Sequence, residues 1–259
     1  MDALRLALVV LAAAAGSAVN AVAGGGTLLT FPAIVGLGLE PRIANATSTV
    51  ALWPGALSSM WGYRGELKGT RRWLLHFTMP SLLGGAVGAW LLLFTSSDVF
   101  ARIVPFLVMG ATALFLAQAP LMRWVRGHAP PPAEESGAPA MPLPAFYAAQ
   151  FGVGVYGGYF GAGIGILMLA VLGLMGQTNI HRMNGLKNWG GLCMNFVAAA
   201  AFAVSGIVNW PVALAMAVGG LAGGYAGSRL AQRVGQQPVR RAVVVVGVAS
   251  AIWLLLRPK

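Results

Sequence analysis

The chain has 259 residues, 58% of them hydrophobic and only 9% charged, where an ordinary soluble domain carries about 25% charged residues. That composition excludes a soluble globule, and the single cysteine, Cys193, excludes an intrachain disulfide and a cysteine-based zinc cluster. Seventeen Lys and Arg stand against six acids, a net of +11, but the basic residues fall in short gaps between apolar runs. Membrane topology accounts for them there, with no nucleic-acid partner.

The first apolar run, residues 6–39, contains no charged residue. As one straight helix it would reach about 51 Å, against about 30 Å of hydrocarbon. A full span followed by a shorter returning segment fits better, with the break at Gly24-Gly25-Gly26, where glycine lets the backbone turn. Arg5, the apolar stretch and Ala21-Val22-Ala23 also read as a cleaved signal peptide. The run continues past that triplet and has a counterpart later in the chain, which favours the span. Ordinary runs follow at 43–62, 72–95 and 99–121, then a Pro-rich stretch, 123–142, with Pro130-Pro131-Pro132 and Glu134-Glu135. It reads as an extended linker.

Beyond it the order repeats: a long run at 143–176, broken between Gly157 and Gly165, then runs at 183–208, 210–228 and 242–256. A shift of 137 positions lays Gly161, Gly163, Ala170 and Gly173 over Gly24, Gly26, Ala33 and Gly36. The fold class is therefore all-α: a polytopic helical membrane protein of two four-segment repeats, 1–122 and 143–259, each opening on a glycine-broken segment. The gap at Arg64, Lys68, Arg71 and Arg72 and the gap at Arg229, Arg233, Arg240 and Arg241 are expected to be cytoplasmic. The gaps near Thr95-Ser96-Ser97 and Gly206–Trp210 carry no Lys or Arg and are expected outside. Under the 137 shift a basic loop of one half matches a neutral loop of the other, which an inverted repeat requires. Both termini then fall outside and the linker inside; Arg257 and Lys259 oppose that placement. Trp61, Trp73, Trp124, Trp210 and Trp253 sit near run ends, as in an interfacial belt.

None of the acids, Asp2, Glu40, Glu66, Asp98, Glu134 and Glu135, lies in the middle of an apolar run, so no carboxylate relay is available inside the membrane. One helix face does carry charge. At 100° per residue Asn184, Lys187, Asn188, Gly191 and Asn195 share an arc of about 100°. A lysine within an apolar run costs from about 2.5 kcal/mol upward, so it is expected to face a cavity or an anion. The competing reading has Lys187 snorkel to the interface while the asparagines bond neighbouring helices. Three asparagines on the lysine's own face favour a site. The matching first-half face, with Thr47, Ser58 and the nearby Asn45, Ser48 and Thr49, is neutral. Asn20 lies just before the first break, and backbone amides at Gly25, Gly26 and Gly163 are placed to meet an anion at the start of a half-helix. His76 is a candidate proton shuttle, against a structural role. His128 and His181 show no metal-ligand spacing. No cofactor is called for, no Gly-x-Ser-x-Gly elbow suggests an enzyme, and the oligomeric state, with a homodimer one option, is open.

The first half, with Gly24-Gly25-Gly26, Leu28-Leu29, Pro32 and Ala44-Asn45-Ala46-Thr47-Ser48, resembles the TauE/SafE family of sulfite-exporter-like membrane transporters. The second half adds Gly161-Ala162-Gly163-Ile164-Gly165, Met183-Asn184-Gly185-Leu186-Lys187, Asn195, Gly206 with Trp210, and Gly223-Gly224-Tyr225-Ala226-Gly227. The resemblance covers nearly everything but the linker. It implies export of small sulfur-containing anions, such as sulfite or sulfoacetate, across the bacterial inner membrane. Substrate contacts would then be Lys187, Asn184, Asn188, Asn195, Thr47, Ser48, Asn20, Gly25, Gly26 and Gly163. A passive anion channel, or a membrane enzyme or assembly protein, is the rival reading.

Overall fold

The computed structural model describes residues 3–128, 143–234 and 237–256. These form ten helices, with no strand among the described residues: α1 Ala3–Ala23, α2 Thr27–Gly36, α3 Pro41–Gly62, α4 Arg71–Phe94, α5 Ser97–His128, α6 Leu143–Tyr159, α7 Ile164–Leu174, α8 Ile180–Val204, α9 Trp210–Val234 and α10 Gln237–Leu256. Each long run is thus a pair of helices, α1 with α2 and α6 with α7, divided inside the expected glycine stretch. Helix α5 continues through His128, into the start of the stretch expected to be a linker; residues 129–142 lie outside the described ones.

Local chemistry explains where the polar helices begin. Pro41 opens α3 at a position where its missing N–H costs nothing. The Asn179 side chain caps α8 by accepting from His181 N at 3.0 Å and Arg182 N at 3.1 Å.

The outer surface is apolar. Along α4 the exposed side chains are Leu75, Met79, Leu83, Val87, Trp90 and Phe94, and along α9 they include Leu214, Val218, Leu221 and Tyr225. Such continuous stripes suit hydrocarbon rather than water. Among the described residues three helices are long and apolar enough to cross a membrane by length and composition: Leu4–Ala23, Arg71–Phe94 and Ser97–His128. Helices α3 and α8 fall short of that standard because they carry Asn45, Thr47, Ser48 and Ser59, and Asn184, Lys187 and Asn188, all buried against protein. Trp61, Trp124, Trp210 and Trp253 are exposed near helix ends as a belt requires, whereas Trp73 is buried in the cluster around Phe77 and Phe146.

Small residues set the packing. Helix α1 lies along α9, α3 along α9 and α8, and α4 along α6 and α8. Under the 137-residue shift α1 maps onto α6 and α4 onto α9, so the pairs α1–α9 and α4–α6 exchange. In the first pair Gly219, Gly223 and Gly227 abut Val10, Ala14 and Ala18; in the second Gly84 and Gly88 abut Gly154 and Gly158. Both series rise together, so both pairs run parallel. Gly55 against Gly220 and Gly62 against Ser228 make α3 parallel to α9. The Trp189 bond to Thr78 and the approach of Gly85 to Met194 make α8 parallel to α4. By contrast, Trp53 donates to Leu192 O at 3.3 Å while Tyr63 sits beside Gly185, so α3 and α8 are antiparallel.

In the α1–α9 and α4–α6 pairs the glycine contacts are largely backbone against backbone, and a side chain there has nowhere to go. Gly223→Leu, whose Cβ would overlap the Ala14 backbone, is expected to lower stability by about 1–3 kcal/mol. Gly110→Ala, exposed in mid-α5 with nothing near its Cβ, is expected to raise stability by about 0.5–1 kcal/mol. Thermal unfolding of the two variants in detergent checks the contrast.

Candidate functional site at the crossing of two broken helices

The two breaks touch. Gly24 and Gly163 both adopt left-handed backbone, with φ of 79°, which turns α1 into α2 and α6 into α7. Gly163 N donates to Gly24 O at 3.1 Å, and Gly24 packs directly on Gly165. Four helix ends therefore meet: the C-termini of α1 and α6 and the N-termini of α2 and α7.

Helix ends leave orphan backbone groups, carbonyls at the C-terminus with partial negative charge. At the end of α1 the donors come from α8. Lys187 Nζ donates to Asn20 O at 3.2 Å and to Ala21 O at 3.0 Å, and Asn188 Nδ2 donates to Ala21 O at 3.3 Å. At the end of α6 the donor comes from α3, where Asn45 Nδ2 reaches Tyr159 O at 2.9 Å. Each broken helix is thus finished by a polar side chain from the opposite half. Of the three finishing side chains, one is a lysine.

Lys187 is 2% exposed. It lines a small cavity of about 10 Å³ with Asn20, Asn188, Gly24, Gly165 and Gly191. That volume holds about one water, so a multi-atom oxyanion enters only if the surrounding helices separate. No carboxylate is among the cavity's lining residues, which also include Ala56, Ile164 and Met168. Among the described residues Lys187 Nζ meets backbone carbonyls and no acid.

Of the residues expected at a site, the fold brings together Lys187, Asn188 and Asn20. Asn184 is buried one turn earlier on α8, and Asn195 is half-buried two turns beyond Asn188; neither lines the cavity. Thr47 accepts from Asn209 N at 3.0 Å at the far end of α3, and Ser48 shares a 2.7 Å hydrogen bond with Thr30 of α2. Gly25 packs on the Phe115 ring, Gly26 on Gly16 O and the Asn20 Cβ, and Gly163 near Ala111 and Leu114. Gly191, from the polar face of α8, does line the cavity, and its other glycines are Gly24 and Gly165, neighbours of the ones expected at the breaks. The glycine clusters pointed to the region, but no local signal says which member of a run turns the chain and which meets its opposite number. His76 lies between α4 and α6, its Nδ1 2.6 Å from the Tyr147 hydroxyl.

The fold and this centre define a class: a helical membrane protein organised around two interrupted helices that cross beside a buried lysine. The family of the sulfite exporter TauE/SafE matches residues 8–254. A probable membrane transporter protein of a Sinorhizobium species, ORF9, is 30% identical over 253 residues, covering 98% of this chain and 93% of its own. The probable membrane transporter protein YfcA of Escherichia coli K12 is 30% identical over 245 residues, 92% of this chain and 84% of its own. A further probable membrane transporter protein, from Haemophilus influenzae, is 26% identical over 233 residues, 89% of this chain and 86% of its own. This chain belongs to the sulfite exporter TauE/SafE family and is a membrane transporter.

Proposed function

We propose that this transporter exports small sulfur-containing anions, sulfite, sulfoacetate or related organosulfonates, across the bacterial inner membrane by alternating access between two inverted repeats. The observation that carries the reading is the buried Lys187 ammonium at the crossing, hydrogen-bonded to two backbone carbonyls and faced by no acid in its cavity. A unit negative charge about 4 Å from it would gain about 4 kcal/mol at an effective dielectric near 20, and Asn20 and Asn188 stand ready to replace part of the anion's hydration shell. The name of the matched family supports a sulfur oxyanion as the substrate.

Opposite orientation of the halves is supported by the helix directions. Helix α1 runs with α9 and α3, α3 runs against α8, and α8 runs with α4 and α6, so α1 and its counterpart α6 point opposite ways. Interrupted helices at matching positions of two such repeats are the usual setting of a transporter's binding site. Rocking of one half against the other opens the closed cavity to each side in turn. Arg64, Lys68 and Arg229 gather at one end of α3 and α9, which supports a cytoplasmic placement of both basic loops.

Purified protein in proteoliposomes is expected to move sulfite or a sulfonate with saturation and counterflow, and at a clamped membrane potential to need no pH gradient. Flux that rises linearly with concentration and shows no counterflow supports the rival reading, a passive anion channel. Absence of flux for every sulfur anion overturns the substrate assignment.

A further inference from the structure

The ends of α3 and α9 enclose a pocket of about 240 Å³ lined by Arg64, Lys68, Arg229, Glu66 and Gln232, three cations against one acid. Gln232 Nε2 ties the two helices together by donating to Gly62 O at 3.2 Å and to Ser228 O at 3.2 Å. The arginines are not loose in water. The Arg64 guanidinium lies over the Trp61 ring, 4.8 Å from its centroid, with Nη1 donating to Trp61 O at 2.9 Å. Arg229 lies over the Tyr225 ring at 5.5 Å, with Nη2 donating to the Tyr225 hydroxyl at 3.4 Å.

Both rings face outward, Trp61 at 60% and Tyr225 at 41% exposure, and one turn further into each helix stands an exposed leucine, Leu57 or Leu221. Two parallel helices therefore present the same series in the same order of depth: leucine, aromatic ring, arginine. That order matches a phospholipid, whose acyl chain, glycerol region and phosphate follow one another along the membrane normal. Aromatic rings settle at the headgroup level, and guanidinium binds phosphate oxygens in a fork. A free oxyanion has no apolar part and would make no use of the leucines and rings.

We propose that this pocket binds the headgroup phosphate of an acidic phospholipid, one lipid bridging α3 of the first half and α9 of the second. The site is separate from the Lys187 cavity and stands whether or not the transport reading holds. The test is thermal unfolding of the full chain in mild detergent, with added phosphatidylglycerol, zwitterionic phosphatidylcholine or inorganic phosphate. Phosphatidylglycerol is expected to raise the midpoint clearly above phosphatidylcholine, and inorganic phosphate to leave it unmoved. Arg64→Gln and Arg229→Gln are each expected to weaken the response to phosphatidylglycerol about fivefold, from about 1 kcal/mol per basic residue near a charged surface. Lys68→Gln, whose side chain holds no ring, reads the same effect through charge alone. Equal stabilisation by the two lipids, an equal shift with inorganic phosphate alone, or an undiminished preference in Lys68→Gln and both arginine variants overturns the proposal.

Discussion

Lys187→Met is expected to reduce anion flux in proteoliposomes by two to three orders of magnitude or so while the protein still folds; about 4 kcal/mol of attraction corresponds to about a thousandfold. The two halves of that expectation have separate physical causes. Flux is lost because the cavity at the crossing has no other cation, and the remaining donors there, Asn20 and Asn188, are neutral. The fold survives because methionine keeps the unbranched apolar stem that α8 packs into the bundle and no longer carries the cost of burying an ammonium, while Asn20 O keeps its bond from Gly24 N at 3.1 Å. Ala21 O keeps its bond from Asn188, so the end of α1 is not wholly uncapped. The measurements are flux at fixed reconstituted protein and the midpoint of thermal unfolding. If the variant transports at the native rate, Lys187 is only a cap for α1. If flux and stability fall together, the lysine's main contribution is to folding.

Gly24→Val is expected to prevent recovery of folded protein. Valine at φ of 79° sits in a region that β-branched residues scarcely occupy, at about 1–3 kcal/mol, and its Cβ would overlap the Gly165 backbone, at about 1–3 kcal/mol more. Neither neighbour can yield, because Gly24 O also accepts from Gly163 N across the same crossing. Gly38→Ala separates the two costs. Gly38 has φ of 94° but open space around the position of a Cβ, so only the backbone penalty remains. Yield of monodisperse protein in detergent and the unfolding midpoint should fall sharply for Gly24→Val and slightly for Gly38→Ala. Equal, mild losses in both would mean that the crossing opens more easily than its geometry implies.

Much of the helix order could be read directly from the sequence. Runs too long for one span and too short for two, each broken by glycines, resolve into α1–α2 and α6–α7, because the length of a membrane span and the effect of glycine are local matters. The end of α5 was less legible: Arg123, Trp124, Arg126 and His128 look like the start of a loop, yet they continue the helix to its basic last turn. The polar faces were visible too, but not their partners. Lys187 and Asn188 share a helix face by simple periodicity, while the carbonyls they bond lie 166 and 167 positions away. Thr47 and Ser48 have the chemistry of a binding wall but do not line the cavity; their hydroxyls are bonded to Asn209 N and Thr30, partners far along the chain or on another helix that no local pattern names.

Composition and charge pattern by themselves determined that this is a helical membrane chain with two glycine-broken apolar runs, a lysine within an apolar run and no acid within any. These properties depend on residue type and on spacing along a single segment. Only the tertiary structure decided that the two breaks touch through Gly24 and Gly165, that each severed helix end is capped from the other side of the chain's midpoint, and that one cap is a lysine. Contacts between segments more than a hundred residues apart are set by which surfaces fit together, and that fit depends on backbone clearance that no single segment encodes.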